Sequence, residues 1–232
     1  MDRAIATFCL IHGYWHDGSS WSPLAGALRA RGHEAVAPDL PIDDPGTTWT
    51  ERAEPALRAV EGAGEPVVIV VHSASSGYGA LVAAELEDPL LVYLCPRLTP
   101  FDSPPGAPDV FRPGFPFPPR RADGSNAWER EAAIEAMYPR LPRETAEDLA
   151  DRLRPTAPPA GEFPLDGHPD VATALVYTSE DEFFEPDWER FMARELLGVE
   201  PIEIPGGHFP MVEDPDGLAD ALDRLARRHA GG

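Results

Sequence analysis

The run Pro66-Val-Val-Ile-Val-Val71 constrains this chain more than any other feature. It is apolar without polar alternation, as a strand buried on both faces of a parallel sheet must be. A helix rich in small residues is expected behind it, over residues 76–87, where Gly77, Gly79, Ala80, Ala83 and Ala84 recur. Parallel neighbours need crossover connections, so the rest of the chain has to alternate strands with helices. Residues 6–11, 34–38, 90–95, 171–178 and 199–204 read as the further strands. Helices are expected after Ser22-Pro23, with Ser22 as cap, and behind Thr48, which makes a capping box with Glu51. Two more are expected at 187–197 and 215–229. The fold class is α/β, a mostly parallel sheet of about six strands with helices on both faces.

The texture changes after the fourth strand. Nine prolines fall between Pro96 and Pro119, a density that permits neither helix nor central strand. Two helical patterns follow, at 127–138 and 143–154. Residues 1–100 and 170–232 therefore read as the core, and 101–169 as a Pro-rich helical lid insertion.

Charge and composition exclude several functions. The formal net charge of −21 repels nucleic acid and anionic membrane surfaces. No apolar run reaches the roughly 18 residues that span a bilayer. Every basic residue is Arg, so Schiff-base, pyridoxal-phosphate and P-loop lysine chemistry are excluded. Cys9 and Cys95 sit in apolar runs and read as core thiols. With no signal peptide at the N-terminus, the expected location is cytoplasmic. Oligomeric state is not legible.

Four segments carry the candidate chemistry. Ser73 stands where the central strand ends and the small-residue helix begins, so a tight turn there exposes its hydroxyl at the sheet's edge. Val71 and Ser75 occupy the positions two before and two after it, where glycine is usual. His12-Gly13-Tyr14-Trp15 follows the first strand. The backbone N–H groups of Tyr14 and Ala74 are thus candidates for an oxyanion hole. Asp181 lies just past the fifth strand and His208 in a Gly-flanked loop past the sixth. Ser73, Asp181 and His208 keep the chain order Ser, Asp, His, each at the same sheet edge. Asp102 is the alternative acid. Glu180 and Glu182 are expected to be exposed, His72 to pack beneath the turn, and His33 to be solvated.

The chain resembles the α/β-hydrolase superfamily, and more narrowly the branch of plant methylesterases, hydroxynitrile lyases and their bacterial relatives. Three stretches carry this. They are His12-Gly-Tyr-Trp-His16-Asp-Gly-Ser-Ser-Trp21, Thr178-Ser-Glu-Asp181-Glu-Phe-Phe-Glu-Pro186 and Gly206-Gly-His208-Phe-Pro-Met211. The resemblance implies an α/β-hydrolase fold and a Ser73-His208-Asp181 triad. Lyases of this branch carry a Lys soon after the histidine and a Thr where Gly13 stands, and neither is present. The expectation is a serine hydrolase, carboxylesterase-like, that cleaves a small or medium hydrophobic ester through an acyl-enzyme. His12, Trp15, Trp21 and Tyr138 are candidate pocket residues. No metal or organic cofactor is implied, and the partner is a small molecule. A lyase or cofactor-free oxygenase on the same scaffold, or a non-catalytic ligand-binding relative, remains the alternative.

Overall fold

The computed structural model describes residues 6–64, 66–98 and 107–231. Its strands are β1 (Thr7–Ile11), β2 (Glu34–Val36), β3 (Val67–His72), β4 (Leu90–Leu94), β5 (Ala172–Thr178) and β6 (Ile202–Ile204). All pair in parallel, in the order β2-β1-β3-β4-β5-β6. Successive side chains of each strand enter opposite layers. Phe8, Leu10, Val68 and Val70 join one core with Leu24, Leu28, Leu218 and Leu222. Cys9, Ile11, Ile69 and Val71 join the other with Ala53, Ala56, Tyr78 and Trp188.

Those partners define the helical layers. On the first face lie α1 (Ser22–Ala30) and the last helix, α8 (Pro215–Ala230). On the second lie α2 (Trp49–Ala59), α3 (Ser76–Ala84) and α6 (Pro186–Phe191). The capping box opens α2: Thr48 Oγ1 accepts from the Glu51 N–H, and Glu51 Oε2 accepts from the Thr48 N–H. Ser22, however, is the first helical residue and not a cap. A 3-10 turn over Gly18–Trp21, capped by Asp17, runs directly into α1 and supplies its lead-in. A one-turn helix, α7 (Pro210–Glu213), precedes α8 and has no periodic signal of its own. Cys9 and Cys95 are both buried and free. Burial pushes the Cys9 thiol up to about 12.

Between β4 and β5 the chain forms α4 (Arg130–Met137) and α5 (Arg143–Ala150), joined by irregular segments. These helices do not make a separate core. Ala133, Ile134, Met137 and Ala146 pack into the same cluster as Phe183, Phe209 and Met211. No helix among the described residues is long and apolar enough to cross a membrane.

Candidate active site

The sharp turn after β3 puts Ser73 at φ +57, a left-handed conformation that a serine adopts at a cost. Two hydrogen bonds hold it there, one from α3 and one from the chain after β4. Ser76 Oγ donates to the Ser73 carbonyl at 3.0 Å, and the Arg97 N–H donates to the same oxygen at 3.2 Å. Val71 fits where glycine is usual because Gly79 faces it across the turn. A Cβ on Gly79 would come within 2.7 Å of the Val71 Cβ. The small residue has moved from the strand to the helix. Ser73 is 9% exposed, whereas Ser75 and Ser76 are 0% exposed, so among these serines the first one alone reaches the cavity.

Three of the residues singled out in the sequence meet at this turn. Ser73 Oγ lies 3.1 Å from His208 Nε2, and His208 Nδ1 lies 2.7 Å from Asp181 Oδ2. A carboxylate only accepts, so Nδ1 carries the proton and Nε2 is left to accept from the serine. Asp181 is fixed in turn, because its Oδ1 accepts from the N–H groups of Phe183 at 2.7 Å and Phe184 at 2.9 Å. The Phe183 ring stacks on the His208 imidazole at 4.1 Å between centroids. Asp102, the alternative acid, lies outside the described residues.

The histidine loop is braced by residues whose part was not legible in the sequence. Glu182 is not simply exposed: its Oε2 accepts from the His208 N–H at 2.9 Å. Glu213 Oε2 accepts from the Gly207 N–H at 2.7 Å. Arg140, from the chain between α4 and α5, then bridges Glu213 and Glu180 at 2.7 Å each. On the far side the His72 Nε2–H donates to the His208 carbonyl at 2.9 Å. Burial, followed by the neighbouring His208, holds the His72 pKa well below the usual imidazole range. His33 is buried and not solvated, with Nδ1 accepting from the Ala6 N–H and Nε2 against Asp223.

The loop after β1 approaches the serine closely. A Cβ on Gly13 would come within 2.8 Å of His72 Nδ1 and 3.3 Å of the Ser73 Cβ, so glycine is required. His12 is fully buried, and its Nε2 accepts from the Leu40 N–H at 3.0 Å. Its Nδ1–H therefore donates to the Gly13 carbonyl at 3.0 Å. A trans peptide sends the N–H of Tyr14 the opposite way from that carbonyl. Trp15 adopts φ +66, an outlier for a bulky side chain. It is held by three bonds to the β4–β5 segment: N–H to Thr156 Oγ1, Nε1–H to Asn126 Oδ1, and its carbonyl from the Arg154 N–H. The N–H groups of Tyr14 and Ala74 have no acceptor among the described residues, and both residues line the cavity.

That cavity has a volume of about 310 Å³. A void of about 150 Å³ holds benzene, so there is room for one ring with substituents. Of the pocket candidates, Trp15 lines it. His12, Trp21 and Tyr138 lie behind the wall. Trp21 packs edge-on against His72, and the Tyr138 hydroxyl donates to His16 Nε2 at 2.7 Å. The lining that sequence reasoning missed includes Phe111, Phe183 and Phe184. The adjacency of the last two to Asp181 was the available signal. Cys95 Sγ comes within 4.8 Å of ligand atoms on Asp181 and His208. Burial and then Asp181 push that thiol's pKa well above its ordinary value, so it is not a ready metal ligand.

A parallel six-stranded sheet with a strained serine, a histidine and a buried carboxylate at one edge defines an α/β-hydrolase. The chain belongs to the alpha/beta hydrolase family, whose model matches residues 10–221. Within that family its similarity runs to the methylesterase branch and bacterial relatives. It is 25% identical to putative methylesterase 19 of Arabidopsis thaliana, over 96% of this chain and 98% of that protein. It is 24% identical to the pyrethroid hydrolase of Sphingobium wenxiniae, over 96% of this chain and 88% of that one. The crystal structure of a pyrethroid hydrolase from Sphingobium faniae superposes with a TM-score of 0.77 at 21% identity, covering 98% and 99% of the two chains.

Proposed function

We propose that the protein is a serine hydrolase that cleaves small or medium esters with an apolar body, through an acyl-enzyme on Ser73. The observation that carries this is the continuous chain from Ser73 Oγ through His208 to Asp181, at 3.1 and 2.7 Å. In the proposed cycle His208 Nε2 takes the Ser73 proton as Oγ attacks the ester carbonyl carbon. The N–H groups of Tyr14 and Ala74 bind the resulting oxyanion, the second aided by its place at a helix start. His208 then protonates the departing alkoxide. Water, deprotonated by the same nitrogen, releases the acid and restores Ser73. Asp181 keeps the imidazole in the tautomer each step needs. The segment between β4 and β5 acts as a lid: Phe111, Phe117 and Asn126 roof the cavity. The names of the relatives, a methylesterase and a pyrethroid hydrolase, agree with ester chemistry on apolar substrates.

The test is kcat/KM for a panel of aryl and methyl esters. Ser73→Ala is expected to lower it by about four to six orders of magnitude. Undiminished turnover by that variant would end the proposal.

A further inference from the structure

The cavity beside Ser73 carries the opposite charge to the rest of the molecule. The chain holds 40 Asp and Glu against 19 basic residues, yet among the described residues no acid lines this cavity, while Arg97 and Arg120 do. The groove between α2 and α3 shows the contrast, since Glu51, Glu54 and Glu85 line it. Several exposed arginines elsewhere are paired, as Arg130 is with Asp151, Arg143 with Glu131 and Arg194 with Glu200. Among the described residues neither Arg97 nor Arg120 forms an ion pair.

Arg97 is held in place by the nucleophile turn itself. Its N–H donates to the Ser73 carbonyl, and left-handed residues on either side, Cys95 at φ +43 and Leu98 at φ +53, wrap the chain around it. Its guanidinium lies 5.3 Å from the centroid of the Phe111 ring. A cation on an aromatic face keeps its N–H edges available for a bidentate acceptor. The other polar lining also donates. Asn126 Oδ1 is occupied by Trp15 Nε1, which leaves its NH₂ end unbonded among the described residues. Much of the remaining lining is aromatic, with Phe111, Phe183 and Phe184 among it. An anion would be repelled by most of this protein's surface and attracted at this mouth.

We propose that Arg97 and Arg120 form an anion subsite, and that the substrate is an aromatic ester that also carries a carboxylate. This rests on the reading of Ser73 as an ester nucleophile and narrows its substrate class. Charge-assisted, bidentate bonds supply the recognition, and the aromatic wall takes the ring.

Two matched pairs of probes test it. Phenyl acetate and 4-acetoxybenzoate place the carboxylate on the leaving group. Methyl benzoate and monomethyl terephthalate place it on the acyl side. Each is titrated calorimetrically into the Ser73→Ala protein. In at least one pair the anionic probe is expected to bind about tenfold tighter than its neutral partner. Arg97→Gln with Arg120→Gln should bring that ratio close to one, and Arg97→Lys with Arg120→Lys should keep most of it. Thermal melting checks that each variant is folded. Equal or weaker binding of the anionic probe in both pairs, or a preference that survives the double Gln change, would overturn the subsite. Turnover by the unmodified enzyme separates the two readings. Cleavage of the neutral probes without anionic preference keeps the ester reading and removes the subsite. Arginine-dependent binding of the anionic probe with no cleavage of any probe keeps the subsite and removes the ester reading.

Discussion

At the scale of single residues, the departure at Val71 explains how the nucleophile turn tolerates a branched side chain. Val71 and Gly79 are one packing unit, and that predicts coupling between them. Gly79→Ala forces a Cβ to 2.7 Å from the Val71 Cβ and should destabilise by about 1–3 kcal/mol. Adding Val71→Ala should recover part of that loss, so the pair departs from additivity in thermal denaturation. Strict additivity would mean the two side chains do not compete. Glu189 makes a second prediction. It is 1% exposed, and neither carboxylate oxygen has a hydrogen-bond partner among the described residues. Burial, then the charge of Asp181, holds its pKa well above the ordinary 4.5. The folded protein thus binds this proton more tightly than the unfolded chain does. Stability from the group is present at low pH and is lost as pH rises above about 4.5. Glu189→Gln keeps the neutral shape, so its melting temperature should gain on the unmodified protein as pH is raised from about 4 to about 8. A constant difference across that range would mean that Glu189 is solvated.

At the scale of elements, the histidine loop is held from outside its own strand. Arg140 is exposed enough that its ion pairs add little stability, so Arg140→Ala should change the melting temperature by only a few degrees. Yet it frees Glu213, and removes the charge 3.9 Å from Glu182, the two carboxylates that brace Gly207 and His208. We expect kcat to fall about tenfold with KM little changed, because positioning and not substrate contact is lost. A rise in KM alone would place Arg140 in substrate binding. Thr156→Val similarly removes the acceptor of the Trp15 N–H and should cost about 1–3 kcal/mol. These braces also mark where sequence reading stopped. Val67–His72 was legible because a buried parallel strand needs an unbroken apolar run, and Thr48 with Glu51 because a capping box is a local bond. The order Ser73, Asp181, His208 was legible because every loop at one end of a parallel sheet meets the same edge. By contrast, Glu182, Glu213 and Arg140 come together only in three dimensions, and on the chain each looks like a solvated charge. Phe111 and Asn126 sit in a segment without periodicity, and the shape of that segment is set by contacts with Trp15, Thr156 and Phe184.

At the scale of the molecule, the described part of the segment between β4 and β5 packs into the same core as the sheet. Ile134, Met137 and Tyr138 share a cluster with Phe183 and Phe209, and Arg52 ties α2 to Ala157 at 2.7 Å. Arg52 is fully buried and bonds only neutral acceptors, among them Thr47 and the carbonyls of Asp44 and Ala157. Removing it would orphan several of these at once. The protein should therefore unfold in a single calorimetric transition, with no earlier melting of α4 and α5. Two resolved transitions would make the lid an independent unit.

On the proposed mechanism Ser73 is an activated nucleophile beside the N–H groups of Tyr14 and Ala74. Labelling of the intact protein with a fluorophosphonate, followed by peptide mass spectrometry, tests it most directly. The expected result is a stoichiometric adduct on Ser73 that disappears in His208→Ala. An adduct on another serine, or none in a protein that still cleaves esters, would contradict it.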